Sequence, residues 1–297
     1  MHTNPKKIAL IGGDLRQVCL ANLLVKRNIS NEVTCLFLDK DVEFDKHIAI
    51  TNAYQTVLSQ SDIIIMGLPV TVDGIHISAP FSDEKVAIER IFQSINKDAF
   101  VLGGMVNDKI NAVAKSHGIT IHDYFAREEL VVLNAIPTAE GALEIAMHEI
   151  PTTIFGSNCM ITGFGRIGKA LAKLLIGCGA NVTVAARSYE DLAHAKICGC
   201  KTVLLSEFEN WLGDVDVLFN TIPAMIMNEI CLNKIKKSAL IIDLASKPGG
   251  IDFETAKKLG LNVIWALSLP GKVAPVTAGQ IILDTIINML NEKGTYI

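Results

Sequence analysis

The chain has 297 residues, half of them hydrophobic, enough apolar material for one large domain or two of ordinary size. A net charge of -4, with no basic run interleaved with aromatics, argues against a nucleic-acid-binding surface. The opening "MHTNPKKIALIGGDLRQ" has too short an apolar run for a secretory signal, and Asp14 and Arg16 break it. No stretch reaches the ~18 uninterrupted apolar residues of a membrane span. The seven cysteines are scattered, and Cys198 and Cys200 in "ICGCK" lack metal-ligand spacing. Free thiols, no metal centre and a cytoplasmic location are therefore expected.

In chain order, strands are expected at "KIALIG", "VTCLFL", "DIIIMG", "AFVLGG" and "GITIHD", with helical patterns at "DEKVAIERIFQSI" and "NDKINAVAKSH". Apolar strands without period-2 alternation are buried on both faces, which implies a parallel sheet between helices. After Tyr124 the rhythm changes, and one longer helix is expected from about Thr138 to His148. A second strand set follows: "NCMITG", "NVTVAAR", "VDVLFNTI", "ALIIDLA" and "NVIWAL". The closing "VTAGQIILDTIINMLNE" reads as an amphipathic helix, with Thr277 and Gln280 at capping-box spacing. Its apolar stripe suits packing on its own first domain or a homo-oligomer contact. The expected fold class is α/β, with two doubly wound parallel-sheet domains, the second a Rossmann dinucleotide-binding domain. Residues 1–130 form the first, 131–274 the second, and helix 275–297 rejoins the first by analogy with two-domain dehydrogenases.

The second set opens on "MITGFGRIGKALAKLLIGCGANVTVAARS", which holds Gly163, Gly165 and Gly168 in G-x-G-x-x-G spacing. The motif follows an apolar strand, opens a helix and precedes another strand, the context that its chemistry requires. Gly163 serves the tight turn, Gly165 the approach of backbone to a pyrophosphate, and Gly168 the close packing of helix on strand. Arg166 and Ile167 complete the loop; Arg166 either flanks the pyrophosphate or is a solvated surface charge.

The next strand usually ends in an acid that binds the adenosine ribose, but here it ends in Arg187 and Ser188. An arginine cannot accept from ribose hydroxyls. It can hold a 2′-phosphate through its fork of donors, and Ser188 adds a hydroxyl, so NADP is the expected cofactor. The first domain fails the fingerprint, since Asp14 and Gln17 stand where the second and third glycines belong.

Ligands of doubly wound sheets lie at the carboxyl ends of the strands. There "NTIPAMI" places Asn220, Thr221, Ile222 and Pro223, and "DLASKPGG" places Asp243, Leu244, Ala245, Ser246 and Lys247. Thr221, Ile222, Pro223, Leu244 and Ala245 are expected to line the cofactor cleft, although each loop alone reads equally as a turn.

The segments "NAIPTAEGALEIAMHE", "GFGRIGKALAKLL", "NTIPAMIMN", "DLASKPGGIDF" and "LPGKVAPVTAGQIIL" together resemble the A-subunit family of dipicolinate synthase from spore-forming bacteria, as do "IALIGGDLRQ" and "LPV" in the first domain. The resemblance covers nearly the full length. It implies a two-domain relative of 2-hydroxy-acid and alanine dehydrogenases with NADP in the second domain. It also implies the flavoprotein-like B subunit of dipicolinate synthase as partner, in the mother cell late in sporulation. The implied reaction converts a dihydrodipicolinate, or its hydrated form, into pyridine-2,6-dicarboxylate.

Such a reaction removes a hydride from one ring carbon and a proton from its neighbour, so the protein must orient the ring, bind two carboxylates and supply one modest base. Lys247 and Ser246 suit a carboxylate, and Lys247 reads equally as an exposed turn lysine. Thr277 and Gln280 at a helix start, and Asn134 and Thr138 at the interdomain helix, are further substrate-binding candidates, with Glu140 beside them. For the base, His76 in "TVDGIHISAPF" is the candidate, with His122 behind it. Two other readings remain open: an NADP-dependent dehydrogenase of another small carboxylic acid, and a non-catalytic NADP-binding regulatory protein.

Overall fold

The computed structural model describes residues 6–30 and 32–294, which divide into two compact units. One unit runs up to Leu133 and resumes at Ala274; the other is Asn134–Val273. The first contains β1 (Ile8–Ile11), α1 (Leu15–Lys26), β2 (Val33–Leu36), β3 (Ala49–Thr51), α2 (Tyr54–Gln60), β4 (Ile63–Met66), α3 (Ile88–Ser94), β5 (Phe100–Gly103), α4 (Asp108–Ser116) and β6 (Ile121–Asp123). Helix α5 (Glu128–Glu149) leads into the second. That unit holds β7 (Asn158–Thr162), α6 (Arg166–Gly177), β8 (Asn181–Ala186), α7 (Tyr189–Ile197), β9 (Lys201–Leu204), β10 (Val217–Asn220), α8 (Glu229–Lys234), β11 (Leu240–Asp243), α9 (Phe253–Lys258), β12 (Asn262–Trp265) and α10 (Leu269–Val273). Helix α11 (Pro275–Glu292) returns to the first unit.

Each unit is built on a six-stranded sheet, in the orders β3-β2-β1-β4-β5-β6 and β12-β11-β10-β7-β8-β9, and every pairing is parallel. Numbered within each unit, both orders read 3-2-1-4-5-6, and both reverse direction beside the first strand. The two sheets expected from the sequence are therefore present. Strands β1, β4, β10 and β11 are buried at every position, which is why their sequences show continuous apolar runs.

Several local readings are corrected. Edge strands β3 and β9 were not expected; they are short, of three and four residues, and partly exposed. Helix α3 starts at Ile88 rather than near Asp83, because Ala87 is held in a bridge with His76.

Helix α5 begins ten residues before Thr138, at Glu128, and carries Pro137 in its interior. Asn134, Thr138 and Glu140 are consequently mid-helix residues, and no first-turn dipole acts on them. Pro137 has no N–H for the carbonyl four residues back, that of Leu133, where the first unit ends. Thr138 Oγ1 donates to the next carbonyl, Asn134 O, at 2.8 Å. Among the described residues α5 is the one helix long and apolar enough to cross a membrane; its Leu130, Ala135, Ala139, Ala142 and Ala146 are buried within the protein.

The capping box at Thr277 is not formed. The N-cap of α11 is Ala274, which makes no side-chain cap, and Pro275 opens the helix. Gln280 donates instead to Asp284 at 2.7 Å. The apolar stripe of α11, including Ile282, Leu283, Ile286 and Leu290, joins the first core together with Leu20, Ala21 and Leu24 of α1. Arg127 clamps Glu292 near its end with two hydrogen bonds of 2.6 and 2.7 Å.

Candidate functional site

The second unit carries the glycine loop between β7 and α6. Gly163 has φ +89°, and its N–H donates to Ala185 O at 2.8 Å, so the chain turns sharply off the strand. A Cβ on Gly163 would lie 2.5 Å from Thr221 Oγ1, and one on Gly168 only 2.4 Å from Gly163 O. These two glycines let loop, strand end and helix close on one another. Gly165 differs: it caps α6 with no side-chain bond, and a Cβ there would meet nothing within 4 Å. The structure thus keeps open space over the uncapped end of a twelve-residue helix, whose first turn contains no acid. A helix end of this kind can receive a phosphate. Arg166 lies exposed at the first helical position and Ile167 is half-buried against the core.

The same position in the first unit is closed. Gly13 N–H donates to Ser78 O at 2.7 Å, and a Cβ on Gly12 would lie 2.4 Å from that carbonyl. Asp14 caps α1 with its own side chain and pairs with Arg16. Protein groups take the place a pyrophosphate would need.

Arg187 follows the last residue of β8, is exposed, and makes no hydrogen bond or ion pair among the described residues. Ser188 is the N-cap of α7; its Oγ accepts from the N–H groups of Glu190 and Asp191 at 3.1 and 3.4 Å. Its hydroxyl proton remains available to an anion.

The loops after β10 and β11 are positioned by a buried polar chain that the sequence reading did not assemble. Thr162, Asn220 and Asp243 end three neighbouring strands and are fully buried. Thr162 Oγ1 donates to Asn220 Oδ1, and Asn220 Nδ2 to Asp243 Oδ1, both at 2.8 Å. Asp243 also accepts from Ala245 N at 3.0 Å and Gly250 N at 2.8 Å. Asn220 Nδ2 further donates to Ile222 O, and Ile222 N to Asn220 Oδ1, both at 3.0 Å. A buried carboxylate is tolerated here because N–H donors surround it. The signal in the sequence was a polar residue at the last position of an apolar strand, visible for Asn220 and Asp243 and overlooked for Thr162.

This chain settles what each loop residue offers. Thr221 Oγ1 donates to Thr162 O at 2.8 Å, and Ile222 lies against Gly163, while Pro223 is exposed. Leu244 is packed in the core, and both backbone polar groups of Ala245 are taken, its carbonyl by Trp265 Nε1 at 3.0 Å. Ser246 and Lys247 are exposed on the turn that follows.

The remaining candidates lie elsewhere in the chain. Asn134 and Thr138 belong to α5, whereas Thr277 and Gln280 belong to α11 in the first unit. His76 is also in the first unit, where its Nδ1 lies 2.7 Å from Asp73 Oδ2. That bond, with the backbone N–H groups of His76 and Ile75, holds the Asp73 carboxyl far below its usual range. His122 stacks on Phe100 with centroids 4.5 Å apart; burial first, and Lys293 second, push it below the ordinary histidine value. Among the described residues no cluster of His, Cys, Asp or Glu can hold a metal ion.

Comparison with known proteins bears on both units. Residues 7–125 match the family model for the N-terminal domain of the dipicolinate synthase A subunit, and residues 138–248 match the NAD binding domain of the D-isomer specific 2-hydroxyacid dehydrogenases. The dipicolinate synthase A subunit of Bacillus subtilis (strain 168) is 33% identical over 293 residues, covering 96% of each chain. This chain belongs to the A-subunit family of dipicolinate synthase. Its fold superimposes on the crystal structure of the dipicolinate synthase A subunit from Bacillus halodurans with TM-score 0.87 and 30% identity, covering 96% of this chain and 97% of that one. For the crystal structure of the corresponding dipicolinate synthase chain from Bacillus subtilis the TM-score is 0.84 at 32% identity, covering 98% and 97%. The second unit is a dehydrogenase domain for a nicotinamide dinucleotide, and the chain is dehydrogenase-like. The open cradle at Gly165 fits that group.

Proposed function

We propose that this chain is an NADP-linked oxidoreductase that converts dihydrodipicolinate to pyridine-2,6-dicarboxylate, acting in the cytoplasm of the mother cell with the flavoprotein-like B subunit of dipicolinate synthase. The observation that carries the cofactor choice is Arg187: a fixed cation with unspent donors at the position where a ribose-binding acid would stand. Its planar fork and the Ser188 hydroxyl match a 2′-phosphate. The cradle formed by Gly163, Gly165, Arg166, Ile167 and Gly168 receives the pyrophosphate. The backbone around Thr221, Ile222, Pro223 and Leu244 forms the floor toward the nicotinamide; the polar groups of Ala245 serve the loop itself.

When bound, the oxidised dinucleotide supplies a hydride acceptor, and aromatisation of the substrate ring provides driving force. What this chain adds is orientation. Lys247 and Ser246, exposed beside the anchored Asp243 turn, take one substrate carboxylate, with Asn134 and Thr138 of the same unit as further polar candidates. The proton leaving the neighbouring ring carbon goes to a modest base.

The test is a coupled assay. Aspartate semialdehyde, pyruvate and the lysine-pathway synthase generate the unstable substrate in place. This chain and NADP⁺ are added with and without the flavoprotein-like partner, and pyridine-2,6-dicarboxylate and NADPH are followed by absorbance. Joint formation of both above the spontaneous rate, with NAD⁺ serving poorly, is the expected result. Binding of NADP(H) without product under either condition would leave a dehydrogenase of another acid or a regulatory nucleotide-binding protein.

A further inference from the structure

The first unit holds a charged group that neither the dinucleotide site nor its loops explain. Arg16, on the first turn of α1, is only 7% exposed. Its Nε donates to both Asp14 oxygens at 2.9 and 3.1 Å, and Nη2 donates to Asp14 Oδ2 at 2.7 Å. The other proton of Nη2 goes to Leu68 O at 2.5 Å. One whole edge of the guanidinium is thereby locked to the protein, and its orientation is fixed. The remaining nitrogen, Nη1, has no acceptor among the described residues. No buried side-chain nitrogen or oxygen among the described residues lacks a partner, so the small exposed fraction of Arg16 includes Nη1.

The two Nη1 N–H donors face outward with no protein acceptor among the described residues, and an anion is a stronger partner for them than water. Its surroundings are rigid. The Leu68 side chain packs so close to Gly104 that a Cβ there would lie 2.6 Å from it, and Tyr124 OH, beside the same glycine, donates to Met66 O at 2.9 Å. Gly279 of α11 lies against the backbone of Arg16, where a Cβ would come within 2.7 Å of its carbonyl. The opening lies at the carboxyl ends of β1 and β4, the first-unit counterpart of the ligand end of the second sheet. The sealing of the Gly12–Gly13 loop by Ser78 excludes a dinucleotide there.

We propose that Arg16 is an anion-binding residue, whose Nη1 receives one carboxylate of a small dicarboxylate at this end of the first sheet. Asp14 is its positioning residue: it holds the guanidinium and consumes the edge that would otherwise turn away from the opening. A ligand carboxylate is a stronger acceptor than water for such a donor. The identity of the acid rests on the proposed reaction; the existence of the anion site does not.

The experiment uses the full chain with stable probes. Pyridine-2,6-dicarboxylate and, separately, pyridine-2-carboxylate are titrated while the arginine guanidinium ¹⁵N resonances are followed and heats are measured by calorimetry. We expect the Arg16 Nη1 signal to shift saturably with the dicarboxylate. In Arg16→Lys, which keeps charge but loses the fork, affinity should fall at least tenfold. NADPH titration and thermal unfolding report whether that variant is folded, and the wild-type resonances test the site even if it is not. A saturable Arg16 shift of equal affinity with the monocarboxylate supports the anion site and counts against the dicarboxylate reading. Binding heat with unmoved Arg16 resonances, and an unchanged affinity in Arg16→Lys, overturns the site and leaves the proposed reaction intact. No response to either acid also overturns it, and the coupled assay then judges the reaction separately.

Discussion

Gly165 and Gly168 are three residues apart in one motif, yet the structure assigns them opposite physical roles, and alanine at each separates those roles. In Gly168→Ala the new methyl would sit 2.4 Å from Gly163 O, a backbone atom. Ordinary contact is about 3.5 Å, so roughly 1 Å of separation must come from the loop or the helix. Overpacking of this kind costs about 1–3 kcal/mol, and alanine's better helix propensity returns at most about 1 kcal/mol. With an immobile neighbour the net loss is about 1–2 kcal/mol, or roughly 2–8 °C in Tm for a domain of this size. In Gly165→Ala the methyl meets nothing, and φ -77° suits alanine. The lost preference for glycine over alanine at an N-cap roughly offsets about 0.4–1 kcal/mol gained by restricting the unfolded chain. Stability should stay within about 0.5 kcal/mol of wild type, while the methyl occupies the space left for pyrophosphate and weakens NADPH binding at least ~10-fold, or about 1.4 kcal/mol. Thermal unfolding without cofactor and NADPH fluorescence titration measure the two quantities. If Gly165→Ala binds NADPH within about twofold of wild type, or unfolds several degrees lower, the assignment of a phosphate cradle to that open space is refuted.

Further outcomes follow from the same geometry. Arg187→Gln removes the 2′-phosphate donor, so NADPH affinity should fall about tenfold or more with little change for NADH; parallel titrations decide it, and equal losses for both would count against a 2′-phosphate contact. Asp243→Asn puts a donor against a donor: the remaining oxygen keeps Asn220 Nδ2 and Ala245 N–H, and the new amide nitrogen faces the Gly250 N–H. We expect a loss of about 2–4 kcal/mol in urea unfolding of the second unit, from a charged acceptor and an orphaned N–H. The lowered His122 pKa means that the unfolded chain binds the proton first as pH falls. Stability is therefore fully present above about 6.5 and is eroded below it until the folded-state value is passed; His122→Phe, which keeps the stack on Phe100, should flatten that part of the pH–Tm curve. Under native conditions an aromatic disulfide reagent should modify exposed Cys198 first. Buried Cys35 and Cys159, whose thiols burial pushes up to about 12, should react only on unfolding.

What could be read from the chain was whatever local periodicity or a short motif encodes. Eight of the core strands announce themselves as apolar runs because both faces of each are covered, and the Gly163–Gly168 spacing names its ligand because a turn, a phosphate approach and a helix contact each demand a missing Cβ. The absence of an acid after β8 was equally legible at Arg187. Edge strands β3 and β9 were not: each is short and partly exposed, although edge strands β6 and β12 were expected. The helix expected from about Thr138 instead runs from Glu128 to Glu149 with Pro137 in its interior, between buried Ala135 and Ala139. Tertiary structure alone brought Thr162, Asn220 and Asp243 together, because residues 58 and 23 positions apart meet only when parallel strands are set in register. The same holds for Arg16: in sequence it is a charge that spoils a glycine fingerprint, and in the fold its burial against Leu68 and Asp14 leaves one nitrogen pointing outward. Backbone patterns are short-range and therefore written in the chain, whereas the satisfaction of a buried polar group depends on partners that only folding supplies.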